Sequence, residues 1–563
     1  MKNIKQYTTL FALSLSLASC NDFLDLKPQG SENSGNYFNS KENAVYAVNG
    51  VYDMLQLDEG AGPDGQWMSH HHDFFLGDLI SDDAEKGSND GDLVSLLQLI
   101  GGTATSSDQQ AESFWIHGYW GVSRVNFVLE GLQDVSWDAS LRNRLYGEAL
   151  FLRAYFNWYL VRAFGPIPLF TASVKPSDFG KIGRSSVNAV YSQIASDLYQ
   201  AIELLPERSQ YASNEMGRAT KGAARGLLAR VFMYQIGTDP DNTSVNWQNV
   251  YDLTSDVIAS GEYKLLKNYP ELLETENKNS DEALFEVQFG VGATEEAPGS
   301  IGTNFFQFQG NRKDDSGWGF NNPTQSLYDE FENGDPRLSC TVYGENFNSG
   351  ILYGEKKKYD RKEQGSDWLS RKAALPEKPA LSKASDRNIK VVRYADVLLM
   401  HAEAAYYLNK PDEARAKVNQ VRQRARYSTY CMGYAENKRD YSVSPEDPSK
   451  ILPDLSQSLS GQGLLEAIWH ERRVELAMEQ LRFFDLIRTG RFLDVMEQEK
   501  EKDRTPGGEY DDYYGASVNE FFKGIRTNLS SKCLNGPEGN KVYVLPIPLT
   551  EVQSWGLEQN PGY

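Results

Sequence analysis

Residues 138–164 place Leu141, Leu145, Ala149, Leu152, Phe156, Tyr159 and Ala163 at steps of three and four, the spacing that gathers apolar side chains on one face of an α-helix. So long an apolar face has to be buried against other helices. Gly165-Pro166-Ile167-Pro168 ends the helix, because proline lacks an N–H and clashes with the preceding turn. The same period recurs at 41–57, with Val48, Val51, Tyr52 and Leu55, and at 186–205, with Val190, Ile194, Leu198, Ala201 and Leu205. It returns at 218–236, 246–260, 391–409, 411–427 and 463–489. Small residues sit inside several of these helices, as in Gly222-Ala223-Ala224 and at Ala402, Ala404 and Ala405, where neighbouring axes can approach closely. Paired helices with a period of about 34 to 45 residues predict a tetratricopeptide-like scaffold.

One region breaks the pattern. From about Gly290 to Lys390 the chain is rich in Gly, Asn, Asp and aromatic residues without helical periodicity, which predicts a large irregular, loop-rich insertion. Strands can be argued only in short pieces such as Leu284 to Phe289. The expected fold class is therefore mainly α, with few short strands.

The first residues carry a different message. Lys2 and Lys5 precede an apolar run, Leu10 to Ala18, that is shorter than the roughly 20 residues a membrane span needs. That pattern is an export signal. Leu17-Ala18-Ser19-Cys20 has the form of a lipobox, which predicts cleavage before Cys20 and acylation of its thiol. Acyl chains contribute about 0.8 kcal/mol per buried CH₂, so two or three anchor a soluble body durably. The expected organisation is a signal peptide over 1–19, a lipidated tether over 20–40, an N-terminal helical half over 41–270 and a C-terminal half over 271–563 that contains the insertion.

Composition limits the partners. With 57 basic and 78 acidic residues the formal charge is −21, which disfavours nucleic acid and polyanionic substrates. Besides Cys20, the cysteines are Cys340, Cys431 and Cys533, an odd number with no framework spacing; one bridge is possible and none is required. Aromatic residues make up 12% of the chain, and many lie in segments that cannot be helical core. Two stretches stand out: "GPDGQWMSHHHDFFLGDLISDD" (62–83), and "NFFQFQGNRKDDSGWGFNN" (304–322) within the insertion, which also holds Tyr353 and Trp368.

Five long motifs carry a family resemblance: "GEALFLRAYFNWYLVRAFGPIPL" (147–169), "GRATKGAARGLLARVFMY" (217–234), "IKVVRYADVLLMHAEAAYYLN" (389–409), "ERRVELAMEQLRFFDLIRTG" (471–490) and "LPIPLTEVQSWGLEQNPGY" (545–563). Together they resemble the SusD/RagB family of outer-membrane lipoproteins. Departures are small: Pro166 stands where the family often has Asp, and Gln480 where Gly is common. The resemblance implies a surface-exposed, lipid-anchored protein of the outer membrane that sits as a lid on a SusC-like, TonB-dependent β-barrel transporter. Such proteins capture glycans, or in some branches peptides, and hand them on.

Catalytic and metal motifs are weak by comparison. His70-His71-His72 is a consecutive triplet whose side chains cannot all converge on one ion, and His470-Glu471 lacks the second histidine of a zincin motif. The acidic stretch 81–93 fails the EF-hand register, since Lys86 falls where a ligand belongs, and reads as a solvated loop. Arg393, Asp396, Glu403, Glu471, Arg472, Arg482, Asp485 and Arg488 read as structural ion pairs at helical spacings. A non-catalytic, cofactor-free and metal-free glycan binder is expected; the alternatives are a peptide binder and a surface glycoside hydrolase. Sugar faces stack on rings, so Trp67, Trp318, Phe320, Tyr353 and Trp368 are the candidate platform. Asp64, Gln66, Asn311, Arg312 and Asp314 are the candidate hydrogen-bonding partners.

Overall fold

Helix-capping chemistry marks where the helices of the first half begin. In the computed structural model, which describes residues 37–56, 75–89, 91–290, 302–314, 317–360, 363–375, 385–433, 441–504 and 529–563, Asp108, Asp138, Ser186, Thr220 and Asn246 each accept a backbone N–H at a helix start. The scaffold helices are α1 (Lys41–Tyr52), α2 (Gln109–Leu132), α3 (Ala139–Phe164), α4 (Val187–Leu204), α5 (Lys221–Thr238) and α6 (Trp247–Ser260). They continue as α7 (Tyr394–Tyr407), α8 (Pro411–Arg426), α9 (Gly461–Glu475) and α10 (Arg482–Arg488). From α2 to α9 each packs on the next, so the stack is a run of helical hairpins around one continuous apolar core.

Helix α2 was not legible from spacing. Its glycines and aromatic residues blur the period, and their purpose is visible only in contact: a Cβ on Gly118 would lie 2.6 Å from the Leu160 side chain, and one on Gly121 would lie 2.5 Å from the Phe156 ring. Glycine at both positions lets α3 press against the α2 backbone. The small residues of α5 and α7, Gly222, Ala223, Ala224, Ala402, Ala404 and Ala405, are buried as the sequence implied.

Residues 261–393 leave the scaffold between α6 and α7, yet those two helices pack side by side. A two-stranded antiparallel ladder closes the excursion, with β2 (Ala283–Val287) paired to β4 (Ile389–Arg393) from Ala283↔Arg393 to Val287↔Ile389. The Tyr394 N–H then donates to the Glu282 carbonyl at 2.8 Å. A second ladder pairs β1 (Ala84–Gly87) with β3 (Phe320–Pro323), which ties the insertion to the N-terminal half.

The expected single helix over 463–489 is two. Helix α9 stops at Glu475 and α10 starts at Arg482, with Met478 at φ +58° and Gln480 at φ +65° between them. The short turn Phe75–Leu79 occupies the gap: the Gln480 carbonyl lies 2.2 Å from where a Gly77 Cβ would be, and the Gln480 N–H donates to Asp78 Oδ1 at 3.0 Å. The left-handed φ gives a physical reason for glycine being usual at this position in the related motif.

Charged motif residues pair mainly between elements rather than along one helix. Arg393 reaches Glu282, Glu475 and Glu479; Arg472 reaches Asp396 and Asp485; Arg488 reaches Glu403 and, along its own helix, Asp485. Arg337 of the insertion, fully buried, bonds Asp335, Glu471 and Glu475. These pairs dictate how the insertion, α7, α9 and α10 meet.

Candidate functional site

The short helix Phe305–Gln309 divides the insertion into two surfaces. Phe305, Phe306 and Gln309 line a cleft, while Phe308 turns the other way and packs against Trp318 and Phe320. Across the cleft stand Lys372, Arg387, Asn388 and Lys390, with Glu479 and Gln480 from the break after α9. A second depression shares Lys390, Glu479 and Gln480 and runs on to Tyr155, Trp158 and Arg162 of α3. A trough lined by aromatic and charged side chains thus leads from the insertion onto the scaffold.

Electrostatics hold these walls in place. Lys372 Nζ lies 2.7 Å from Glu479 Oε1, and burial pushes the lysine below its ordinary pKa. Burial also opposes the charge of Glu479, but Arg393 and Lys372 outweigh it and bring the carboxyl to about 2. The Arg387 guanidinium lies over the Phe306 ring at 4.8 Å and donates to the carbonyls of Lys372 and Ala374. Arg162 lies over Trp158 at 4.0 Å. Lined in this way, the trough sets rings, two of them covered by guanidiniums, beside fixed donors and acceptors, the combination that orients a polar ligand with apolar faces.

The residues predicted from sequence fall into three groups. Asp64, Gln66 and Trp67 lie outside the described residues, as does Cys20. Trp318, Phe320, Asn311, Arg312 and Asp314 are brought together on the far side of Phe308. There Phe320 stacks on Phe308 at 4.6 Å, and Trp318 meets the same ring edge-on at 5.1 Å and keeps part of its surface exposed. Asn311 is buried and donates to the Lys358 carbonyl at 2.9 Å, while Asp314 accepts from the Lys358 N–H at 3.3 Å. Arg312 reaches Ser88 and Asp92, joining this loop to the N-terminal half. Tyr353 and Trp368 belong to separate packing groups: Trp368 is buried, stacks on Tyr328 at 4.2 Å and donates to Gln325, and Tyr353 lies under the Arg371 guanidinium at 4.3 Å.

Spacing did not reveal Lys372, Arg387, Asn388 or Trp158, since chains far apart in sequence assemble the trough. Only the clustered rings of "NFFQFQ" marked its first wall.

The acidic stretch is corrected by the structure. Ser81 to Ser88 are buried rather than solvated, because Asp82 and Asp83 receive Arg473 and Arg482, and Lys86 donates to the carbonyls of Asn89 and Asp92. Asp78 is buried as well; burial raises its carboxyl to about 7, against hydrogen bonds from Asn321 and the Gln480 N–H. Among the described residues no group of three or more His, Cys, Asp or Glu side chains is placed to hold a metal ion. His70 to His72 lie outside them.

A family model described as "SusD family" matches residues 281–563, half of the chain. This protein belongs to the SusD family. Residues 22–233 match a second model, described as "Starch-binding associating with outer membrane". Among SusD-like relatives, SusD-like protein P25 of Formosa agariphila is 26% identical over 539 residues, covering 90% of this chain and 93% of the relative. Starch-binding protein SusD of Bacteroides thetaiotaomicron is 25% identical over 296 residues, about half of each chain. A solved laminarin-binding SusD-like protein superposes with a TM-score of 0.66 at 26% identity, covering 93% of this chain and 99% of that one. Surface glycan-binding protein A of Bacteroides thetaiotaomicron, solved with laminarihexaose, shares the fold at a TM-score of 0.65 and 20% identity, covering 92% and 99%. The mainly α, helical-hairpin SusD architecture expected from the sequence is thereby borne out.

Proposed function

We propose that this SusD-family protein is a surface glycan-binding lipoprotein, acylated at Cys20, that captures oligosaccharides and delivers them to a TonB-dependent β-barrel transporter without cleaving them. The observation that carries the reading is the pair of aromatic surfaces on either side of Phe305–Gln309, with Phe305 and Phe306 lining a trough of fixed polar groups and the partly exposed Trp318 set against Phe308, in a family whose named relatives bind laminarin and starch. Trp318 is the partly exposed ring of its group, and Arg312 and Asp314 flank it; Phe320 and Asn311 hold the loop that presents them. A ring stacked on a sugar removes on the order of 50 Å² of apolar surface from water, about 1.3 kcal/mol at about 25 cal/mol per Å². Two or three such contacts plus hydrogen bonds give micromolar to millimolar affinity, which suits a protein that must release its cargo.

Calorimetric titration with laminarihexaose and maltohexaose tests the binding. Trp318→Ala should weaken the glycan that binds by about tenfold with the melting temperature nearly unchanged, and Trp67→Ala should do the same. Absence of binding across a wider glycan panel, binding of oligopeptides instead, or turnover of the sugar by purified protein would each overturn the reading. For delivery, the protein isolated in mild detergent should carry a β-barrel partner; isolation without one would refute that step.

A further inference from the structure

Two cysteines that are 91 positions apart in sequence meet in a second, smaller apolar cluster with Tyr269, Leu272 and Leu273. Cys340 lies in the short helix Pro336–Thr341 of the insertion, and Cys431 follows α8 on the scaffold. Their Sγ atoms are 3.3 Å apart, and both residues are 1% exposed or less. We propose that Cys340 and Cys431 form a disulfide that staples the insertion to the helical scaffold.

Backbone hydrogen bonds place the two residues independently of the thiols. The Cys431 N–H donates to Ser339 Oγ at 2.9 Å, and Asn348 Nδ2 donates to the Cys431 carbonyl at 2.8 Å. Arg337, three residues before Cys340, is held by Glu471 and Glu475 of α9. The two chains are thus clamped on both sides of the sulfur pair. A disulfide is about 2.05 Å long, so closing the bond takes about 1.2 Å of approach, within reach of side-chain rotation. Cys533 stands elsewhere, in the C-terminal hairpin, where its Sγ donates to the Leu529 carbonyl at 3.2 Å and burial pushes the thiol up to about 12.

Chemistry and burial together say when the bond forms. One thiolate attacks the sulfur of an incoming protein or glutathione disulfide and makes a mixed disulfide; the second thiolate displaces the carrier. Two thiol protons are released, and the carrier takes the two electrons and leaves as thiols. In the folded chain neither sulfur is open to a carrier, so oxidation precedes closure of the cluster and the finished bond resists reductants. It is a structural staple rather than a switch. Its formation in the cell rests on the proposed export, because the cell envelope supplies the oxidant and the cytoplasm does not.

Peptide mapping tests both steps. Full-length protein is unfolded and reduced, refolded in a mixture of reduced and oxidised glutathione, then denatured in the presence of N-ethylmaleimide so that buried free thiols are labelled, and digested without reductant. The expected product is a linked pair of peptides carrying Cys340 and Cys431, with Cys533 labelled as a free thiol; it should persist in the Cys533→Ser variant. Maleimide on both Cys340 and Cys431 overturns the pairing wherever the protein resides. Protein taken from the cell envelope is then mapped in the same way. The linked pair there confirms the bond in the cell, and free thiols there despite pairing in the refolded sample overturn its formation in the cell. Membrane fractionation of the same cells reports separately on export.

Discussion

Glu475 is the hub of the buried ion network, and Glu475→Gln tests whether the network holds the fold rather than doing chemistry. Its carboxylate accepts from Arg393 at 2.5 Å, from Arg337 at 2.9 Å and from Arg424. Burial opposes the charge, but Arg424, Arg393 and Arg337 outweigh it and bring the carboxyl from 4.5 down to about 2. A shift of that size corresponds to about 3 kcal/mol, within the range for breaking a buried pair. Because the folded pKa is depressed, this contribution is fully present above pH 4.5 and is lost as pH falls through 2. Glutamine keeps the shape and removes the charge, leaving three guanidiniums with one carboxylate fewer. Urea unfolding at pH 7 should therefore show a loss of about 3 kcal/mol in the variant, falling to about half by pH 3 as the unfolded chain takes up its proton. Glycan affinity should not change. A loss below about 1 kcal/mol, or one that stays constant from pH 7 to pH 3, would refute the assignment of Glu475 to an ionised structural hub.

His470 makes the opposite prediction at alkaline pH. Burial works against its charge, but Glu330 at 2.7 Å and Glu332 at 3.4 Å raise it to about 9, so its stabilisation is complete below pH 6.5 and disappears as pH rises through 9; His470→Gln should abolish that alkaline loss in melting curves taken from pH 6 to pH 10. Gly121→Ala would set a methyl 2.5 Å from the Phe156 ring and should cost about 1 to 3 kcal/mol in urea unfolding, whereas Gly261→Ala, with open space around it, should cost only what its φ of +67° demands. Asp78→Asn keeps the shape at the junction of Phe75–Leu79, β3 and the break after α9 and removes a carboxyl that burial has raised to about 7. The variant should gain stability relative to wild type as pH rises from 4 to 8; no pH dependence of the difference would refute the buried acid. Cys20→Ala should abolish lipid labelling and release the protein from membranes; retained labelling would refute the anchor.

Local sequence determined the elements whose signals are local. Apolar period and the Gly-Pro stop at 165–168 sufficed for α3 to α8, and the five long motifs sufficed for the family. The candidate loop with Trp318 was visible as a cluster of rings in a glycine-rich segment. Tertiary structure alone decided the rest. Helix α2 hides its period because Gly118 and Gly121 are selected for the approach of Leu160 and Phe156, and the gap between α9 and α10 exists because the Phe75–Leu79 turn, some 400 positions earlier, fills it. Asp82 and Asp83 read as solvated until Arg473 and Arg482 were seen to neutralise them. The same holds for the trough and for the Cys340–Cys431 contact: each depends on chains that meet only after folding. A residue's own neighbours in sequence set its backbone preference, but what its side chain faces is set by packing between segments whose separation no local pattern encodes.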